Sequence, residues 1–450
     1  MSAPLYERLK SYADKNRISF AMPGHKNGRG LCGDLLSLDV TELEETANLH
    51  DGGEYVWHAQ KLLSGLYGSD KSYILTGGST AAIQSMICSA VRPGETLLAG
   101  SDCHMSVINT CALLSINIKF FPRQIDEEFY IPKGDFDLET YLTEDVAAVI
   151  ITSPNYYGVC LDVKNIADMC HARNVPLLVD EAHGAHFVSD SRFPETAVHY
   201  ADAVCQSAHK TLNAMNGAAY LHINGSLIDR NRLEKALSMF QSSSPSYVIA
   251  ASADLARAEI ENGKSWQEIY ALCADFRADI QKTGIRVLDN DDITRIVLNF
   301  NDFDITGFKV CSLLSDMGID IEMADLFNVV LIVTASNTAY DLDKLKNALL
   351  SVISSSKELV RKISVTAPPT FSGVISPQKA FFAKHREISL KDSQGCTAGA
   401  SVMIYPPGIP IIYTGEKIRK EQIEYIEKMS AQGAEVRGIT SDGRIAVTDE

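Results

Sequence analysis

Between about residues 55 and 250, short apolar runs alternate with helical stretches, and that alternation leaves few folds open. The runs are Ser72–Leu75, Thr96–Ala99, Ala147–Thr152, Pro176–Val179 and Ala203–Gln206. Ala81–Ala90 has helical composition, and Val163–Arg173 carries Val163, Ile166, Ala167 and Cys170 at helix spacing. A strand that is apolar along its whole length is buried on both faces. A helix between two such strands makes the crossover that parallel neighbours need. The expected class is therefore α/β, with a mainly parallel central sheet sandwiched by helices.

After about residue 250 the texture changes. Ala250–Ile260 and Trp266–Thr283 read as long helices, Thr294–Phe300 and Val329–Thr334 as strands, and Leu342–Ile353 as a closing helix. The expected organisation is an N-terminal arm (1–30), a large domain (31–250), a small α+β domain (251–366) and a C-terminal domain (367–450). Ala367–Gly373 serves as the linker. Met1–Lys15 is amphipathic and charged, without the apolar stretch of a signal peptide. No apolar run approaches the ~20 residues that cross a bilayer. The 41 Lys and Arg against 57 Asp and Glu give a net charge of −16, which argues against nucleic acid as a partner. None of the ten cysteines forms a C-x-x-C pair, and a reducing, cytoplasmic setting is the simplest reading.

Three constellations carry chemistry. Gly77-Gly78-Ser79-Thr80 lies between a strand and a helix. Glycine lets the backbone approach an anion, and a helix start offers free N–H groups; equally, Ser79 or Thr80 caps the helix without any ligand. Asp180-Glu181-Ala182-His183-Gly184-Ala185-His186 follows the run Pro176–Val179. An acid at a strand end is placed to meet a protonated ring nitrogen. The rivals are a plain turn, or a metal site built from Asp180, His183 and His186. Gln206-Ser207-Ala208-His209-Lys210-Thr211 ends another strand with a lysine, and a lysine of lowered proton affinity adds to carbonyls.

Together the three describe a site for pyridoxal 5'-phosphate. Lys210 takes the aldehyde, Asp180 keeps the pyridine nitrogen protonated, and the glycine-rich turn anchors the phosphate. His104, soon after the run Thr96–Ala99, is placed to stack on the ring. No metal is expected.

At this point the sequence resembles the bacterial ornithine/lysine/arginine decarboxylase family of pyridoxal-phosphate fold type I. The resemblance runs from about residue 15 to 420. It is carried by Pro23-Gly24-His25-Lys26, Thr41-Glu42-Leu43, Ala59-Gln60, Gly78-Ser79-Thr80, Cys103-His104 and Ser153-Pro154-Asn155-Tyr156-Tyr157-Gly158. Asp180–His186, Gln206–Thr211, Gln241–Tyr247 and Tyr405-Pro406-Pro407-Gly408-Ile409-Pro410 complete it. Met105 stands where many members have Lys, Ala208 where many have Thr, and Gly78 where Asn is common.

The resemblance implies that Lys210 binds the cofactor, Asp180 pairs with its ring nitrogen and His104 stacks on it. It implies that Ser79, Thr80, Ser207 and His209 hold the phosphate, that Ala182 packs on the other ring face, and that His183 lies beside Lys210. It implies a homodimer in which Ser242, Ser243 and Ser244 reach toward the neighbouring subunit. It also implies the short form, without an N-terminal wing domain. The expected reaction is decarboxylation of arginine, lysine or ornithine to a polyamine-pathway amine, with Lys210 or His183 returning the proton. An aminotransferase, a carbon–carbon lyase and a non-catalytic regulatory homologue are the alternatives. Glu416 is a candidate for the substrate's distal cation, with a surface salt bridge as its plain reading.

Overall fold

The computed structural model describes residues 17–20, 26, 54–133, 136–303, 305–354, 373, 375–405 and 408–449. Met1–Lys15, all of Pro23-Gly24-His25-Lys26 except Lys26, Thr41-Glu42-Leu43 and nearly all of the linker lie outside them.

The first unit is built on seven strands: β2 (Lys71–Leu75), β3 (Thr96–Gly100), β4 (Asn117–Phe121), β5 (Val146–Thr152), β6 (Leu177–Asp180), β7 (Ala203–Gln206) and β8 (Ala219–Ile223). Their order is β2-β8-β7-β6-β5-β3-β4. The pairs β4–β3, β3–β5, β5–β6 and β6–β7 are parallel, while β8 runs antiparallel to both its neighbours. The sheet is thus mainly parallel, as expected, with one reversed strand.

Five runs read from the sequence are strands, each displaced by no more than a residue at either end. Strands β4 and β8 add two that the reading lacked. Two apolar cores lie on the sheet's faces. One contains Val149, Ile151, Val179, Val204 and Tyr220, the other Leu97, Ala99, Ile150, Leu178 and Leu221. Neighbouring residues on one strand thus enter opposite cores, which is the period-two geometry of a strand buried on both sides.

A second sheet, β12-β13-β10-β9, uses β9 (Arg286–Val287), β10 (Arg295–Asn299), β12 (Met323–Ala324) and β13 (Asn328–Ile332), all antiparallel. The helices Lys264–Gln281 and Ala339–Ser354 pack on it through Cys273, Phe276, Leu345 and Leu349. The arm contributes β1 (Ile18–Phe20), paired in parallel with β11 (Ile319–Ile321), an element not foreseen. Arg17 anchors this pairing through two bonds to Asp320, of 2.6 and 2.7 Å. The C-terminal unit holds β14 (His385–Ser389) with β18 (Arg444–Thr448), and β15 (Val402–Ile404) between β16 (Ile409–Ile412) and β17 (Val436–Arg437).

Among the described residues no helix is long and apolar enough to cross a membrane.

Candidate active site

In the parallel part of the sheet the strands end along one edge, and their following turns carry the polar residues. Thr152, Asp180 and Cys205 are register neighbours across β5, β6 and β7. The turns after β2, β3, β5, β6 and β7 line one cavity of about 400 Å³, a size suited to a cofactor with a small substrate. Gly78, Ser79, Thr80, His104, Asp180, Ala182, His183, His209 and Lys210 all face it. Of the residues expected to hold the cofactor or act on it, only Ser207 is not on the wall. It sits fully buried at the start of the turn carrying Lys210.

The glycine-rich turn is settled by its cap. The helix Gly78–Ala90 is capped by Gly77, with no side-chain hydrogen bond to its first turn. Ser79 and Thr80 lie inside that turn and do not cap it. Apart from the Gly78 N–H, the backbone donors of the first turn are thus left to a ligand, at the positive end of the helix dipole. Gly217 holds the turn from the opposite side: its carbonyl accepts from the Gly78 N–H at 2.8 Å. A Cβ on Gly217, at φ +92°, would lie 2.9 Å from the Thr76 carbonyl oxygen, so the close approach requires glycine.

Asp180 is buried, and its Oδ1 accepts from the Ala182 N–H at 3.1 Å. His104 has two functions. Its Nδ1 accepts from the Ser106 N–H at 3.2 Å and so caps the helix Met105–Leu114, while the ring faces the cavity. Burial lowers its proton affinity, as does Lys210, against Asp180, which raises it. Lys210 Nζ lies 3.2 Å from His183 Nε2. Burial lowers the proton affinity of this lysine too, opposed by Asp180 and Glu322 and aided by Arg295. His183 is pushed well below the usual imidazole range, first by burial, then by Lys210 and Arg295. His209 donates from Nδ1 to the Ala218 carbonyl at 2.9 Å.

One rival reading and one candidate fall away. His186 does not join Asp180 and His183 around a metal. It points away, stacked on Trp266, with Nε2 3.2 Å from Asp292. Glu416 neither meets substrate nor forms a surface bridge. It is fully buried in the C-terminal unit, accepting from Tyr413 N (3.2 Å), Gln422 Nε2 (2.9 Å) and Arg419 Nη2 (3.3 Å).

Ser242, Ser243 and Ser244 are exposed in the turn between the helices Arg230–Phe240 and Tyr247–Asn262. That turn is tied to the glycine-rich loop, since Gln241 Oε1 accepts from the Thr76 N–H at 3.3 Å. The C-terminal unit reaches the cavity through Tyr405 and Ile409, whose neighbours Pro406 and Pro407 lie outside the described residues. Sequence reasoning missed Arg295, whose Nη2 is 2.9 Å from His183 Nδ1, and Asn216 and Gly217, which line the wall. No local signal marks Arg295, because it reaches His183 across 112 residues of chain.

Pyridoxal phosphate suits this donor set. Ser207 Oγ is buried and has no hydrogen-bond partner among the described residues. The start of the helix Gly78–Ala90, which no side chain caps, offers further donors, and a phosphate supplies the acceptors both lack.

The chain is also similar to known proteins. The family model "Orn/Lys/Arg decarboxylase, major domain" matches residues 3–299, and its C-terminal domain model matches 363–444. The chain is 32% identical to the uncharacterized protein YaaO of Bacillus subtilis, over 97% of this chain and 96% of that one. It is 30% identical to the arginine decarboxylase of the same organism, over 97% and 95%. Among solved structures, the Escherichia coli constitutive lysine decarboxylase superposes with a TM-score of 0.79 at 17% identity, over 100% of this chain and 82% of that one. The Francisella novicida lysine decarboxylase LdcF gives 0.78 at 18%, over 99% and 81%. With a lysine, an acid and an uncapped helix start gathered at one sheet edge, and with both family models matched in order, the chain belongs to the Orn/Lys/Arg decarboxylase family.

Proposed function

We propose that the protein removes the α-carboxylate of a basic amino acid, using pyridoxal phosphate. The observation that carries this reading is the convergence of Lys210, His183, Asp180 and His104 on one cavity beside an uncapped helix start. When bound, the cofactor supplies a protonated pyridine that accepts the electron pair left on the α-carbon as carbon dioxide departs. With the cofactor bound, Asp180 would keep that ring nitrogen protonated, and His104 and Ala182 would hold the ring. Gly78, Ser79, Thr80, Ser207 and His209 would hold the phosphate. Lys210 would hold the aldehyde, and Lys210 or His183 would return a proton to the α-carbon, so that each turnover would consume one proton.

The finer reading is a cytoplasmic homodimer feeding polyamine synthesis, in which Ser242, Ser243 and Ser244 approach the neighbouring site. Their exposure supports this, as does the absence of any disulfide among the described cysteines. Arginine is the first substrate to test, given the names of the relatives.

Incubating the holoenzyme separately with arginine, lysine and ornithine decides the reaction. Carbon dioxide and the matching amine should form from one of them. Keto-acid formation without carbon dioxide would make the protein an aminotransferase instead.

Ser207→Ala tests the phosphate site. It deletes a bond to a charged group, worth about 1.5–3 kcal/mol, so the Kd for pyridoxal phosphate should rise roughly 10- to 100-fold. Titration of the stripped protein reads this, and an unchanged Kd removes Ser207 from the site.

A further inference from the structure

Arg295 opens β10 in the second sheet, yet it reaches the chemistry of the first. It is fully buried, and Nη2 lies 2.9 Å from His183 Nδ1. The other ring nitrogen of His183 lies 3.2 Å from Lys210 Nζ. The three side chains therefore form a line from guanidinium to imidazole to amine.

The direction of that line follows from what each group can donate. A guanidinium donates and has no lone pair to accept with, so His183 Nδ1 is the acceptor. A neutral imidazole carries one N–H, and with Nδ1 accepting, that proton is on Nε2. The partner facing Nε2–H must then offer a lone pair. An ammonium has none, whereas a free amine has one.

We infer that Arg295 is a positioning residue that fixes the proton of His183 on Nε2 and thereby holds Lys210 as the free amine, the form that reacts with an aldehyde. The inference rests on Lys210 being the cofactor lysine.

The surroundings agree. Burial first, and the Arg295 guanidinium with it, push His183 well below the usual imidazole range. Lys210 faces Asp180, Glu322 and Cys205, which favour its charged form, and Arg295, which opposes it. Burial and Arg295 work in one direction, and the His183 donor adds to them. The guanidinium has little freedom to leave. A Cβ on Gly158, at φ +78°, would lie 2.6 Å from Arg295 Cβ, so the chain passes directly over this side chain. Asn290 Nδ2 donates to the carbonyls of both Tyr157 and Arg295, at 2.6 and 2.7 Å. The Tyr156 ring meets the His183 ring edge-on at 4.8 Å.

A rival role exists, because Nε and Nη1 of Arg295 have no hydrogen-bond partner among the described residues and could bind the substrate carboxylate. The test separates the two. Full-length protein with 15N-labelled histidine, stripped of cofactor, is compared with Arg295→Lys, which keeps a donor and the charge, and Arg295→Met, which keeps neither. His183→Gln assigns the signal. The wild type should show a hydrogen-bearing Nε2 and an accepting Nδ1, and Arg295→Met a signal averaged over both tautomers. A wild-type His183 protonated at Nδ1, or at both nitrogens, overturns the inference without any Arg295 variant.

The rate of pyridoxal-phosphate recapture, followed by absorbance, is the second readout. It should be flat between about pH 7 and 9 in the wild type and in Arg295→Lys. In Arg295→Met it should rise with pH, approaching the tenfold per unit of an ordinary amine, whose pKa is about 10.4. A flat profile in Arg295→Met overturns the inference. So does a raised KM with an unchanged profile in either variant, which would assign Arg295 to the carboxylate. If Lys210→Ala still forms the wild-type cofactor band, it is the assignment of Lys210 that fails.

Discussion

Replacing Lys210 by Ala should abolish the absorbance of covalently held cofactor and lower kcat by more than about 10⁴-fold, the upper end of what a positioned acid–base group supplies. Two functions leave with one amine: the bond to the aldehyde, and one of the two groups able to reach the α-carbon with a proton. His183 remains, but the chain of donors ends at Lys210 Nζ, so its Nε2 faces empty space after the substitution. The fold should survive. Lys210 sits in a short helical turn, Ala208–Thr211, anchored in the core by Ala208 and by Leu212, which follows it. Removing a buried amine held near Arg295 should leave the melting temperature equal or higher, as expected where an active site stores unfavourable electrostatics. A small added amine should restore part of the turnover. Activity within tenfold of the wild type in Lys210→Ala would sink the assignment.

The residues on which that prediction rests were legible for a physical reason. Asp180 and Lys210 follow strands buried on both faces, and such strands announce themselves as unbroken apolar runs whose ends are sharp. Ala203–Gln206 was read to the residue. What escaped was either amphipathic or distant. Strand β4, Asn117–Phe121, lies at the sheet edge and alternates exposed with half-buried residues up to the buried Phe121, so no long apolar run marks it. Strand β8 is fully buried but carries His222 inside, bonded to Ser72 and Gln206, which breaks the apolar pattern. Its reversed direction is a property of pairing that no single window encodes. Arg295 and Gly217 act on residues far along the chain, where charge and spacing carry no information. Glu416 shows the opposite error. A lone acid near a family segment reads as a ligand for a cation, while three internal donors had already claimed it.

Asp180→Asn should cost about 10²–10³-fold in kcat, the range found when one preorganised electrostatic partner of a reacting centre is removed. Asparagine keeps the size of the side chain and can still accept from the Ala182 N–H, so the strand end and the cavity should keep their shape. What disappears is the negative charge. A pyridine nitrogen paired with an amide loses its proton more readily, and a neutral ring is the weaker electron sink. The loss should therefore fall on kcat, with KM nearly unchanged, because substrate binding does not use this carboxylate. Lys210 should still hold the cofactor, and its proton affinity should fall further, since Asp180 is the largest influence raising it. This separates Asp180→Asn from Lys210→Ala, which loses the covalent band as well as the rate. Asp180→Glu keeps the charge but on a longer arm, which shifts it from the position that Asp180 holds between Thr152 and Cys205 on the adjacent strands. It should recover the ring's protonation yet remain slower than the wild type. Steady-state kinetics together with the absorbance of the bound cofactor read all three variants, and a wild-type kcat in Asp180→Asn would show that the ring's proton is held by some other group.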